Sequence, residues 1–377
     1  MKEGISILEY FSEVETCEEH NGYFCSVGEA LTIAILGSLC GLRNSNQIHQ
    51  WSLNQRTKAF LSERFKIVRI PCYYWFLCLL KLIKPESLNL CFIRWAQTFF
   101  PERGAETTIS FDGKSIRSTG KMSGYTSPLH IISAHLANLG ITIGQQTAAD
   151  KSNEIPAMRE LLRLLEVEGC MIVADALHCQ KETAKAIAED SKADYLLSVK
   201  DNQPSLKEDI ADYVQDAGLR GTMDYYTTCE KNSGRVERRE AYATSDIGWL
   251  YGKEDWAKLA CIGAVHTQFT TKKGTTSEWH YYISSRKLTA GELLSHARLE
   301  WSVESMHWLL DVHFAEDYCR VEDKNIQQNL NIIRKIALNT VRSYKDKTKS
   351  KLPLSRLMFD CLLDSQNIIS VLTTSQN

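Results

Sequence analysis

Thr107-Thr108-Ile109-Ser110-Phe111-Asp112-Gly113 is a run of β-branched and aromatic residues closing on Asp-Gly, the pattern of a strand entering a turn. Met171-Ile172-Val173-Ala174-Asp175 reads as a short buried strand that also ends on an aspartate. Between them, Leu129 to Ala137 and Ile141 to Thr147 read as strands and Ile155 to Leu165 has helical periodicity. Gln180 to Asp190 is helical and Tyr195 to Val199 is again a strand. This alternation predicts an α/β domain built on a mixed sheet. In such sheets functional groups gather at the carboxyl ends of strands. Two aspartates on neighbouring strands there suit hard divalent cations.

Outside this core the pattern changes. Residues 1–100 read as a helical domain for DNA binding or dimerisation, with apolar runs at Val27 to Leu42 and Tyr73 to Ile83 and a break before Pro85. The core's first part spans 101–219. Residues 220–288 form a β-rich insertion, and 289–350 complete the core with helices, leaving 351–377 as a C-terminal tail. In the helical stretch from Arg298, Trp301, Glu304, Trp308 and Asp311 share one face, opposite an apolar stripe of Leu299, Val303, Met306 and Leu310. On the last long helix, Ile326, Leu330, Ile333, Ala337 and Val341 form an apolar stripe, and Lys335, Arg342 and Lys345 a separate basic one.

Composition sets outer limits. The 377 residues carry 44 Lys plus Arg against 46 Asp plus Glu, a net charge of −2, which excludes a wholly basic DNA coat but not a nucleic-acid enzyme. The acidic N-terminal stretch does not read as a signal peptide, and no apolar run is long enough for a membrane span. Twelve cysteines without a Cys-x-x-Cys pair point to inert thiols in a reducing cytoplasm. Gly113-Lys114-Ser115 ends like a phosphate-binding loop, but Thr108 stands where the leading glycine belongs, so a nucleotide switch is disfavoured.

A series of motifs runs in a familiar order. It begins Phe111-Asp112-Gly113-Lys114-Ser115-Ile116-Arg117, then Asp150-Lys151-Ser152-Asn153-Glu154-Ile155-Pro156, then Val173 to Lys181 and Asp194 to Gln203. It continues with Gly234 to Arg239, Arg298 to Val312, Phe314 to Arg320 and Asn329 to Asn339. Together these resemble the H-repeat-associated type of bacterial insertion-sequence transposase, over nearly the whole chain. The resemblance implies a ribonuclease-H-like core with an Asp-Asp-Glu triad on Asp112, Asp175 and Glu304, holding two Mg²⁺ ions for which Mn²⁺ substitutes. It implies strand cleavage at element ends and strand transfer into target DNA. The partners are double-stranded DNA, as terminal inverted repeats and target, and a second copy of the chain. Phosphate and base contacts are expected from Lys114, Arg117, Lys151, Lys200, Asn202, Arg235, Arg239, Arg298, Trp308, Arg320, Lys335 and Arg342. The chain departs from the family at Asp201, Ser233 and Glu300, where Gly, His and His are usual. A DNA-binding derivative without catalysis and a general nuclease are the rival readings.

Overall fold

The computed structural model describes residues 10–18, 24–99, 104–120, 128–148, 153–232 and 234–376. The first helices are α1 (Val27–Leu39), α2 (Ser45–Ser52), α3 (Gln55–Phe65), α4 (Tyr73–Leu82) and α5 (Pro85–Gln97). The strands are β1 (Thr108–Ile116), β2 (Leu129–Leu136), β3 (Ile141–Ala148), β4 (Met171–Ala174) and β5 (Asp194–Val199), then β6 (Asp224–Asn232), β7 (Arg235–Thr244), β8 (Cys261–Thr271) and β9 (Gly274–Ser284). The remaining long helices are α6 (Glu154–Leu164), α7 (Pro204–Gln215), α8 (Ala290–Leu299), α9 (Ser302–Phe314), α10 (Lys324–Lys347), α11 (Leu354–Leu363) and α12 (Ser365–Gln376).

The strands form one sheet in the order β3-β2-β1-β4-β5-β9-β8-β7-β6. β1 to β3 are antiparallel, while β4 lies parallel to β1 and β5 parallel to β4. This is the ribonuclease-H-like mixed sheet that the motif order implies. The β-rich segment is not a separate layer: β9 pairs antiparallel with β5, so β6 to β9 widen the same sheet. β1 also continues past Asp112 to Ile116, so that aspartate lies inside a strand rather than after one.

Helices cover both faces. α6 packs Met158, Leu161 and Leu162 with Ile109, Phe111, Ile172 and Leu197 on one face. On the other, α8 buries Leu293 and Leu294 against Val173, Leu196 and Val265. α9 and α10 share a core with α1 to α5 and with α11 and α12. The segment read as a tail is thus two packed helices, and the N-terminal helices are continuous in core with the C-terminal ones. α1 is buried along nearly all its length, and Pro85 starts α5 where the sequence predicts a break. All twelve cysteines are free thiols, and burial pushes Cys25, Cys179 and Cys361 up to about 12, where they are not thiolates. Among the described residues no helix is long and apolar enough to cross a membrane.

Candidate active site

Strand register builds the site. Phe111 pairs with Ala174, and Ala174 with Leu197. The residues that follow are Asp112, Asp175 and Ser198, so these three stand in a row across β1, the end of β4 and β5. Alternation along a strand sends their side chains to one face. On β1 the buried Ile109 and Phe111 face α6, while Ser110, Asp112 and Lys114 face α9.

α9 is laid along β1 by three contacts. Ser110 Oγ lies 2.9 Å from Ser302 Oγ, and His307 Nδ1 lies 3.4 Å from Asp112 Oδ2. Lys114 donates to Asp311 Oδ1 at 2.7 Å and to Glu316 Oε2 at 3.1 Å. Asp175 is exposed and caps the turn that follows it, Oδ1 accepting from the Leu177 N–H at 2.8 Å. Asn202 donates to Ala176 O at 2.6 Å and Cys179 O at 3.3 Å, and Gln203 to Cys179 O at 3.0 Å, which pins that turn to the end of β5.

A carboxylate not expected at the site completes the row. Helix α8 ends at Leu299, and Glu300 turns inward to accept from Ser198 Oγ at 3.0 and 3.2 Å. Burial raises its carboxyl to about 7, and the charges of Asp175 and Asp112 push the same way against Ser198 and Lys200. Glu304 sits on the first turn of α9, exposed, one turn before His307. Among the described residues no group of three or more acidic, His or Cys side chains is arranged to hold a metal ion, so Glu304 does not join the aspartates in a preformed cluster. The donor set nevertheless suits a hard cation. Two strand carboxylates stand in step, and Glu300 already feels their unneutralised charge.

The basic residues fall into separate groups. Lys200, Arg235, Arg239, Arg298, Glu300 and Trp301 line a cavity of about 270 Å³ beside Ser198. Glu237 holds Arg235 and Arg239, and Glu230 accepts from Arg298 at 2.7 and 3.0 Å. Trp308 and Arg342 share a second cleft of about 940 Å³ with Lys345 and Lys349. Arg342 lies where a side chain on Gly140 would go, and Gly140 has φ +67°. The Arg117 side chain projects into solvent 3.8 Å from Asp317, and Arg320 is exposed. Lys114 is bound up in its ion pairs and Asn202 in its turn. Lys151 lies outside the described residues.

Lys335 requires a correction to the basic stripe. It is 2% exposed and donates to Ser133 Oγ at 2.8 Å and Gln145 Oε1 at 2.7 Å, beneath the sheet where no phosphate reaches it. Burial, with Lys114 nearby and against Glu316, lowers its ammonium to about 7.

Two further groups, His130 and Glu154, were not expected at the site, and Glu154 also meets His178, whose spacing from Cys170 and Cys179 is not that of a zinc ligand. Glu154 lies in the quoted Asp-Lys-Ser-Asn-Glu-Ile-Pro motif, which was the available signal.

The transposase DDE domain family matches residues 103–340, and the family of segments associated with that domain matches residues 8–96. The Escherichia coli protein YbfL is 32% identical over 315 residues, covering 81% of this chain and 82% of that protein. The H repeat-associated protein YhhI of Escherichia coli is 31% identical over the same shares. A cryo-EM structure of the piggyBac transposase synaptic complex with hairpin DNA aligns over 97% of this chain and 78% of that one, at 11% identity and a TM-score of 0.46.

Proposed function

The chain belongs to the transposase DDE family, and on that premise we propose that it cuts DNA at the ends of an insertion sequence and joins the freed ends to target DNA. The observation that carries this reading is the strand register, which puts Asp112, under α9, level with Asp175 at the end of β4. Asp112, Asp175 and, from α9, Glu304 would hold two Mg²⁺ ions, with Mn²⁺ as substitute. Such ions, when bound, stabilise charge on the attacking and leaving oxygens of an in-line displacement at phosphorus.

The chain's own groups do the rest. His307, beside Asp112, fixes the direction of that carboxylate. Asn202 and Gln203 hold the turn that aims Asp175. Lys200, Arg298 and Arg117 offer cations to the backbone, and Trp308 with Arg342 offers an aromatic face beside a guanidinium. In the first displacement water adds to phosphorus and the bond to the 3′ oxygen breaks, leaving a 3′-hydroxyl. In the second, that hydroxyl attacks a target phosphodiester, one bond forming as another breaks. Two element ends have to meet, so the working unit is a dimer on DNA.

The test is nicking of a labelled duplex carrying the element's terminal repeats, with Mg²⁺ or Mn²⁺. Asp112→Asn, Asp175→Asn and Glu304→Gln should each abolish nicking and keep DNA binding. Binding without nicking by the unaltered chain would make it a DNA-binding derivative. Cutting without terminal repeats would make it a nuclease. Nicking by Glu304→Gln at the unaltered rate would remove Glu304 from the set.

A further inference from the structure

Behind the two aspartates, on the opposite face of the sheet, lies a buried carboxylate that the proposed chemistry does not use. Glu154, at the start of α6, is 5% exposed. Its Oε2 is 2.9 Å from His130 Nε2 and its Oε1 is 3.2 Å from His178 Nε2, both rings also buried. Each partner belongs to an element of the site. His130 is on β2, paired with Ser115 of β1, whose Oγ lies 2.8 Å from His130 Nδ1. His178 ends the turn that Asp175 caps. Between them is Gly113, the residue after Asp112. A Cβ there would lie 2.5 Å from the Glu154 carboxyl carbon, so the missing side chain is what lets the carboxylate sit directly under β1.

Burial works against charge on Glu154, but hydrogen bonds from the two histidines overcome it and hold the carboxyl down near 2. An ionised Glu154 only accepts, so each Nε2 donates to it. His178 Nδ1, on the far side of its ring, is buried without a hydrogen-bond partner.

We propose that Glu154 is a positioning residue for the aspartate pair: through His130 and His178 it locks the turn after Asp175 against the strand that carries Asp112. This inference rests on the reading of Asp112 and Asp175 as the cation-holding pair. Both aspartates are exposed or half-exposed, and among the described residues no hydrogen bond or ion pair joins one to the other. The strand pairing brings the two aspartates level, and the tie from behind holds the turn that carries Asp175 in place against β1, as groups outside the ligand shell fix ligand geometry at metal sites.

The test measures Mn²⁺ affinity by electron paramagnetic resonance, and melting temperature, on the full chain. Glu154→Ala and the milder His178→Ala cut the tie and should weaken Mn²⁺ binding by about tenfold or more in the folded protein. Glu154→Gln and His178→Gln keep the reach and should bind within about threefold of the unaltered chain, since a proton on the bare Nδ1 lets His178 accept from a Gln amide. A lowered melting temperature with unchanged Mn²⁺ affinity in His178→Ala would reduce the network to structural support and overturn the proposal. A Glu154→Gln chain as weak as Glu154→Ala would show that charge rather than position matters, and would also overturn it. Asp112→Asn separates the two levels. If the unaltered chain shows no Mn²⁺ binding that Asp112→Asn removes, the aspartate-pair reading falls and this inference with it.

Discussion

Glu300→Gln should stabilise the protein at alkaline pH and leave it nearly unchanged in acid. Glu300 accepts from Ser198, and burial, with the charges of Asp175 and Asp112 adding to it, raises its carboxyl from 4.5 to about 7. At 1.36 kcal/mol per unit, that displacement costs about 3 kcal/mol once the group is ionised in the folded state, an upper bound because the side chain is only partly enclosed. Below pH 4.5 both folded and unfolded chains carry the proton and there is no penalty. Between 4.5 and 7 the unfolded chain ionises first and binds fewer protons, so stability drains as pH rises. Above 7 the full penalty stands. Gln carries no charge and escapes it, while still accepting from Ser198. Urea unfolding at pH 4 and pH 8, without divalent ions, should show the variant gaining up to about 3 kcal/mol at the higher pH and almost nothing at the lower. A bound cation offsets the same repulsion, so Mg²⁺ at pH 8 should narrow the gap. A difference between the two chains that is the same at both pH values would refute the burial of an ionisable Glu300 beside Ser198.

Other perturbations separate surface from interior. Lys335→Met should leave Ser133 and Gln145 short of a donor and lower stability by about 1–3 kcal/mol, yet leave the salt dependence of DNA binding in folded protein unchanged, as filter binding across a salt series would show. Arg342→Ala, at the edge of the cleft with Trp308, should reduce the slope of log affinity against log salt by about one. Gly113→Ala drives a methyl into the Glu154 carboxyl and should cost about 1–3 kcal/mol, read as a lowered midpoint in urea.

Much of the core could be read from the chain because the relevant forces are local. β-branched runs marked β1 to β5 to within a residue or two at most ends, and apolar periodicity marked α6 and α9, where Val303, Met306 and Leu310 are indeed buried. The strand pairing could not be read that way. Whether Asp112 and Asp175 stand abreast depends on register between segments far apart in sequence, and register is set by packing and turns rather than by either segment alone. The same holds for Glu300. The stretch from Arg298 reads as one helix, which would place Glu300 one turn from Glu304 on a shared face. The break between α8 and α9 at Glu300 and Trp301 instead turns Glu300 towards Ser198.

The long helix α10 shows where a pattern argument fails for a physical reason. An apolar stripe opposite a polar one signals a helix with one wet face. In α10 the residues 329, 331, 334, 335 and 339 are all polar and all buried, because the helix is packed between the sheet and the N-terminal helices. Asn331, Lys335 and Asn339 recur at four-residue spacing, and each hydrogen-bonds inward: to Glu316 at 2.7 Å, to Ser133 and Gln145, and to Thr142 O at 2.7 Å. Asn329 donates to Leu80 O and Ile83 O, carbonyls freed where α4 stops before Pro85. A polar residue is inexpensive to bury when the partner it meets also lacks water, and here backbone ends and sheet hydroxyls supply those partners. Composition cannot distinguish this seam from a DNA-facing stripe, because both use the same side chains at the same spacing. Only the layer on the far side decides, and here that layer is α1 to α5, the segment with the fewest motifs of its own.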